Sequence, residues 1–206
     1  MAKVANKLSE YSKKEFQDAS DTFYEVFEKW VLRSIESTFE TTSNNPPSKG
    51  SPLAAYLLLS CAIDILAGFY SGRNPKISGS IGNQYKAFVG KYMKSYSPEI
   101  LYKDLRCNMA HNFILGEGLG LTFNNSELHN TRNGDGRIIK NFDNLFSDLK
   151  RAFFQYHKDI QKDELLKDKF MKRFKKGGIL ALNLENISNT DNPSPVITNY
   201  RQKERL

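Results

Sequence analysis

A short stretch near the middle of the chain, Arg106-Cys-Asn-Met-Ala-His111, carries the residue types that phosphodiester cleavage needs. Arginine offers a permanent, forked cation for phosphate oxygens. Histidine is the side chain whose unperturbed pKa suits proton transfer near neutral pH. Asn108 lies between them and is suited to holding a phosphate oxygen or orienting the histidine. The stretch therefore predicts a site in which Arg106 binds phosphate and His111 transfers a proton.

The spacing by itself is weak support for a site. Nine arginines and three histidines in 206 positions give about 0.4 chance matches to an Arg and a His separated by four to six residues. A second match, Arg151 to His157, lies among core aromatic residues of the last helical stretch. The first match must therefore be judged by the elements around it.

Structural roles remain open for the same residues. Arg106 can form an ion pair with Asp104 or with Asp64, a carboxylate on an earlier apolar stretch. His111 can lie at a helix C-terminus, where a cation is stabilised by the helix dipole. Both interpretations stand beside the catalytic one.

Five helices are predicted from apolar residues that recur at three- and four-residue steps. They cover about residues 12–41, 53–70, 84–94, 97–112 and 141–176. The second helix is apolar nearly all round, so we expect it to be covered on most sides and to form the centre of the domain. Cys61 is accordingly predicted to be a small buried side chain. Asp64, near the middle of this helix, argues against a membrane span.

The pattern changes from Leu121 to Ile139, between the last two long helices. Short extended candidates flank Asn133-Gly-Asp-Gly136, which is a strong tight-turn signal. This region predicts a small β-hairpin insertion in a mainly α-helical fold, with His129 as an ordinary surface or hairpin residue.

The chain is predicted to form one domain, from residue 12 to residue 178. Residues 1–11 are predicted to be a flexible N-terminus, and residues 179–206 a loosely ordered tail. No targeting segment is visible, and two cysteines are too few for a disulfide framework. A cytoplasmic protein with no membrane partner is expected.

Positive charge is concentrated late in the chain. Of the net charge of +7, residues 150–176 supply +6. The basic end of the last helix, with one earlier arginine, predicts a nucleic-acid-binding patch made of Lys172, Arg173, Lys175, Lys176 and Arg73. The alternative is a solvated face whose lysines complement the helix dipole.

The combination of an apolar helix bearing one acid and a later helix ending in Arg-x4-His resembles the HEPN superfamily of helical-bundle proteins. The resemblance covers about residues 53–176 and is best in segments 61–73 and 96–116. It implies an up-and-down helical bundle and a homodimer with a shared cleft. It also implies a metal-independent endoribonuclease that needs no cofactor, as found in toxin–antitoxin and phage-defence systems.

On the matching positions, the resemblance implies that Arg106 binds phosphate, that His111 is the general acid and base, and that Asp64 orients the pair. Cys107 stands where active members usually carry a polar residue, and Asn108 follows one place later. RNA is the implied partner, and a cognate antitoxin or another defence protein is a further one. The alternative is a catalytically silent HEPN-like module that dimerises and binds a nucleotide or a partner protein.

The helix geometry adds a requirement to this site. Positions five apart on an α-helix are rotated by about 140° from one another, so Arg106 and His111 diverge on a single helix. They meet most easily across a two-fold axis, which predicts a composite site in a homodimer. Three scattered histidines and two distant cysteines match no metal-ligand spacing, so no metal site is predicted.

Overall fold

The computed structural model describes residues 11–43, 52–73, 81–112, 114–123 and 125–177. The fold is mainly helical, as predicted. The predicted flexible N-terminus up to residue 10 and the predicted tail from residue 179 lie outside the described residues. The described helices, in chain order, are α1 (Lys13–Val26), α2 (Arg33–Ser43), α3 (Pro52–Ser71), α4 (Ile81–Tyr92), α5 (Pro98–Ile100), α6 (Asn108–Asn112), α7 (Phe142–Lys162) and α8 (Glu164–Gly177). The described strands are β1 (Leu119–Thr122) and β2 (Ile138–Asn141).

Two helix pairs are joined by π-helical segments. Phe27–Leu32 links α1 to α2, and Leu101–Cys107 links α5 to α6, so each pair runs as one continuous helical rod. The first rod begins at Ser12, whose hydroxyl accepts from the Glu15 amide at 3.1 Å while the Glu15 carboxylate accepts from the Ser12 amide at 2.8 Å. This reciprocal cap satisfies two amides that the helix start would leave unpaired.

Helix α3 is the centre of the domain, with nine buried side chains and contacts to α2, α4, α7 and α8. It is long and apolar enough to cross a membrane, but this burial is typical of the core helix of a soluble protein. The prediction that Cys61 is buried was wrong. Cys61 and Leu58 are exposed and Ile65 is half-buried, so one stripe of α3 lies open. Because every face of this helix is apolar, its sequence does not indicate which face the neighbours leave uncovered.

Aromatic rings fill the space between α1, α3, α7 and α8. Phe23 of α1 is fully buried, with ring centroids at 4.6 Å from Phe69, 5.3 Å from Phe170 and 5.9 Å from Phe153. Rings at such distances add edge and offset-stacking attraction to the free energy of burial. This cluster packs α1 and α8, the first and the last described helices, against the central helix α3.

The predicted β-hairpin is confirmed only around its turn, because the two strands β1 and β2 are parallel, with Leu119 opposite Ile138 and Thr122 opposite Asn141. The turn signal is confirmed, since the Gly136 amide donates to the Asn133 carbonyl at 2.9 Å. Past the turn, the Ile139 amide donates to the Thr131 carbonyl at 2.9 Å, and one antiparallel bridge joins Arg132 to Ile138. The other edge of β2 pairs with β1, which comes earlier in the chain, and no local turn signal can encode such a pairing.

The single long helix predicted for residues 141–176 was also wrong, since it is divided at Asp163. The Asp163 backbone is extended, and its carboxylate accepts from the amides of Leu165 at 2.9 Å and Leu166 at 3.1 Å. An aspartate in this role is a favourable N-cap, so α8 starts anew with its own axis. The break lets α8 pack against both α1 and α3.

Candidate functional site

The structure brings Asp64 and Arg106 together from 42 positions apart in the chain. The Arg106 Nε donates to the Asp64 Oδ2 at 2.7 Å, across the contact between α3 and the π-helical segment. The two side chains are 21% and 23% exposed, so the pair is mostly buried but still reaches solvent. Of the two partners that the sequence allowed for Arg106, the structure selects Asp64.

Burial and charge act in opposite directions on this pair. Burial raises the pKa of the Asp64 carboxyl above its ordinary value, and the hydrogen bond from Arg106 works against that rise. For Arg106, burial alone would lower the pKa, but Asp64 outweighs it and the pKa is raised. The guanidinium is therefore a permanent cation at this position.

The elements on either side hold Arg106 in place. The helix starts at Ser97, whose hydroxyl accepts from the Ile100 amide at 3.4 Å, and Pro98 follows at the first helical position. The apolar face of the π-helical segment is buried through Leu101 and Leu105. Arg106, next to this buried face, consequently points towards α3.

The chain leaves this helix through a close contact with Asp104, which is 8% exposed. The Gly116 amide donates to the Asp104 carbonyl at 3.1 Å. The Asp104 carboxylate fills the space that a Cβ on Gly116 or Gly118 would need. These glycines let the loop pass close to the helix that carries the site.

His111 and Asn108 lie on α6, the last turns of the same rod. His111 is exposed and Asn108 is half-buried. Within the described residues, neither side chain makes a hydrogen bond or an ion pair, and nothing joins His111 to Arg106 in one protomer. The structure thus unites two of the four predicted catalytic residues and leaves the histidine open to solvent.

No family model, no curated protein and no solved structure matches this chain. Among the residues that the structure describes, no group of three or more His, Cys, Asp and Glu side chains could hold a metal ion.

The second Arg–His match has a structural role at both ends. The His157 Nε2 lies 3.0 Å from the Ser20 hydroxyl, and its ring packs at 4.9 Å from that of Tyr24. Burial lowers the pKa of His157. Arg151, six residues earlier on α7, is exposed and forms an ion pair with Asp148. These contacts place the two residues in separate environments.

The predicted nucleic-acid patch on α8 is largely engaged within the protomer. Lys172 pairs with Asp168 at 2.6 Å, and Lys175 lies 3.7 Å from the Glu15 carboxylate. The Arg173 guanidinium packs on the Phe69 ring at 5.3 Å, with burial lowering its pKa. Lys176 is exposed, and Arg73 is half-buried just beyond α3. Three of the five predicted residues, Lys172, Lys175 and Arg173, therefore have contacts within the protomer.

Sequence reasoning missed a polar network around His129. The Asn141 amide donates to the His129 Nδ1 at 3.1 Å, so the neutral ring carries its proton on Nε2, 3.0 Å from the Tyr96 hydroxyl. Tyr96 in turn donates to the Asp148 Oδ2 at 2.6 Å. Burial and the nearby Lys140 lower the pKa of His129. No spacing in the sequence signals this network, because its members come from four separate segments.

Lys140 of β2 is a buried cation beside this network and gives a prediction for stability. It is 3% exposed, its Nζ lies 4.5 Å from the Tyr96 ring centroid, and burial lowers its pKa to about 8. In the unfolded chain the pKa of lysine is about 10.4. Between these values the unfolded state holds one proton more, so the free energy of unfolding should rise with pH by at most about 1.4 kcal/mol per unit.

The comparison of wild type with Lys140→Met isolates this effect above about pH 8, where His129, whose pKa Lys140 also lowers, is already neutral. Urea unfolding from pH 7 to pH 10 should show a stability difference that is constant below about pH 8 and then moves in favour of the wild type. Parallel curves across the range would show that Lys140 titrates normally in the folded protein.

Proposed function

We propose that this chain is a HEPN-like, metal-independent endoribonuclease, or an RNA-binding component, of a cytoplasmic defence or toxin system. The observation that carries the proposal is the partly buried ion pair between Asp64 and Arg106 at 2.7 Å. Arg106 belongs to the Arg-x4-His motif and Asp64 is the acid on the earlier helix, and the two are in direct contact. A cognate antitoxin or other defence protein is part of the proposal.

The roles follow from the donor atoms. The bond to Asp64 uses the Arg106 Nε, whereas the fork of Nη1 and Nη2 is the part of a guanidinium that matches two phosphate oxygens. Asp64 orients this fork, and Asn108 contributes an amide for a phosphate oxygen. His111 takes the proton of the ribose 2′-hydroxyl as its oxygen attacks phosphorus. The bond to the 5′-oxygen breaks, that oxygen takes up a proton, and a 2′,3′-cyclic phosphate remains.

The site is composite in this proposal, with His111 supplied across a two-fold axis. The open stripe of α3, with Leu58 at 37% exposure and Cys61 beside it, lies on the same helix face as Asp64. A second copy that covers this stripe would approach the Asp64–Arg106 pair from the solvent side. Such self-complementary contact is the usual form of a homodimer.

RNA cleavage in EDTA tests the function. We expect His111→Ala and Arg106→Ala to lower the cleavage rate by about 10²- to 10⁴-fold, since each removes a group that acts on the transferring phosphate. Arg106→Lys keeps the charge but loses the fork and should also be impaired. Arg137→Ala, on an exposed turn, is the matched control and should cleave like wild type. Equal activity in all variants, or none in wild type across varied RNAs, would refute the endoribonuclease proposal and leave RNA binding without cleavage.

A second candidate function is a silent dimerisation module that binds a nucleotide or a partner protein. The specific observation in its favour is that Asp64 already balances the charge of Arg106. In that case wild type should form a dimer in size-exclusion chromatography, and no RNA should be cleaved. The same cleavage assay therefore separates the two functions.

A further inference from the structure

A basic cleft runs between α7 and the end of α4, away from the residues of the predicted site. Its volume is about 750 Å³. Four cationic side chains line it, Lys91 and Lys94 from one wall and Arg151 and Lys158 from the other, and all four are exposed. We define these residues as the α4–α7 cleft.

The two acidic residues of the cleft are already occupied by internal donors. Asp159 accepts from the Tyr92 hydroxyl at 3.0 Å through Oδ2 and from Gln155 at 2.8 Å through Oδ1. Asp148 accepts from the Tyr96 hydroxyl through Oδ2, and its Oδ1 pairs with Arg151. All four carboxylate oxygens thus have a partner before any ligand arrives.

The three lysines of the cleft differ from those of α8. Within the part of the chain that the structure describes, Lys91, Lys94 and Lys158 make no ion pair or hydrogen bond through their side chains, whereas Lys172 and Lys175 are paired. With four cations against the two carboxylates Asp148 and Asp159, the cleft keeps an excess of two positive charges. Such a group of cations releases counterions when it binds phosphates, which favours a polyanion.

The cleft also offers aromatic surface. The rings of Phe154 and Tyr92 line it and are half-buried, so one part of each ring is held by the core and another faces the cleft. Aromatic rings beside a row of cations are the combination that binds the bases and backbone of a single strand. A second cleft of about 670 Å³ adjoins the first and shares Asp148 and Arg151 with it, which lengthens the available track.

We propose that the α4–α7 cleft binds single-stranded RNA, with Lys91, Lys94 and Lys158 on its phosphates and Phe154 stacking on a base. The choice of RNA as the polyanion rests on the proposed function, but the choice of surface does not. The cleft replaces the basic end of α8 as the surface that holds the strand.

Fluorescence anisotropy with a labelled single-stranded RNA tests the proposal, in the His111→Ala background so that the RNA stays intact. The variant Lys91→Gln/Lys94→Gln/Lys158→Gln should bind about tenfold more weakly or worse. For this variant, the slope of log affinity against log salt concentration should be shallower by about 2, because each of the three lost phosphate contacts removes about 0.7 from the slope. The control Lys13→Gln/Lys14→Gln/Lys29→Gln removes the same charge from exposed positions of the first helical rod and should bind like its parent.

Four outcomes would overturn the proposal. They are a cleft variant that binds like its parent, a control that weakens binding equally, a stronger preference for duplex RNA, and no RNA binding at all. If only the variant Lys172→Gln/Lys175→Gln/Lys176→Gln loses binding, the cleft variant binds like its parent. That result is the first outcome, and it would place the RNA-binding surface on α8. If the cleft binds RNA while wild type cleaves none, the endoribonuclease proposal fails and the cleft proposal stands.

Discussion

Mixed dimers of Arg106→Ala and His111→Ala should regain RNA cleavage, to about a tenth of the wild-type rate or more, although each variant alone is inactive. In a mixed dimer, one protomer supplies the arginine and the other the histidine. Arg106 turns towards Asp64 at 2.7 Å, whereas His111 is exposed on α6 and has no bond to Arg106 within the protomer. A site assembled across the two-fold axis therefore needs only one good copy of each residue.

Co-expression with two affinity tags isolates the mixed dimer for this measurement. The matched control pairs Arg106→Ala with the double variant Arg106→Ala/His111→Ala, so that the dimer keeps a histidine but has no arginine. That control should remain inactive. If the first mixed dimer is isolated intact and also stays inactive, the arginine and histidine act within one protomer, and the composite site is wrong.

Gly72→Ala should lower the free energy of unfolding by about 2–5 kcal/mol, the largest effect on stability that we expect from one added methyl group. Two causes combine at this position. Gly72 has a φ of +70°, which costs an L-residue about 1–2 kcal/mol. Its Cβ would also lie 2.8 Å from the Cα of Lys169, and because this atom belongs to the backbone of α8, the helix must move.

Two other glycines separate these causes in urea or thermal unfolding. Gly136 also has a positive φ, +77°, but nothing lies within 4 Å of an added Cβ, so Gly136→Ala should cost about 1 kcal/mol. Gly134 has open space and no such backbone constraint, so Gly134→Ala should change stability by less than about 0.5 kcal/mol. If Gly72→Ala costs no more than Gly136→Ala, the packing of α8 on α3 is looser than the structure indicates.

The helices were predictable because their information is local. Apolar residues at three- and four-residue steps placed the four helical stretches up to residue 112 close to their observed bounds. The division at Asp163 was not predictable in this way, since the apolar pattern continues across it from Ile160 to Phe170. The break is stabilised by the carboxylate of Asp163, which caps the start of α8.

The features that depend on contacts between distant segments could not be predicted from the sequence. The turn at Asn133–Gly136 formed as predicted, but β2 took its parallel partner from residues before that turn. The uniform apolar composition of α3 likewise concealed the exposed face that carries Cys61. For the candidate site, the sequence offered Asp64 and Asp104 as possible partners of Arg106, and only the structure shows that Asp64 is the one in contact. The α4–α7 cleft gave no such signal, because its lysines are distinguished only by forming no ion pair in the described structure.

The π-helical segment Leu101–Cys107 affects how the chain tolerates the loss of a residue. A π-helical turn closes its hydrogen bonds over one residue more than an α-helical turn. Deleting Lys103 would let the rod return to α geometry, and because the π-helical segment holds one extra residue in about the same number of turns, Arg106 would keep its direction relative to Ser97. The guanidinium would still face Asp64, whereas the same deletion in a purely α-helical rod would rotate every later residue by about 100°. In descendants of this chain, a segment one residue shorter is therefore compatible with an intact site.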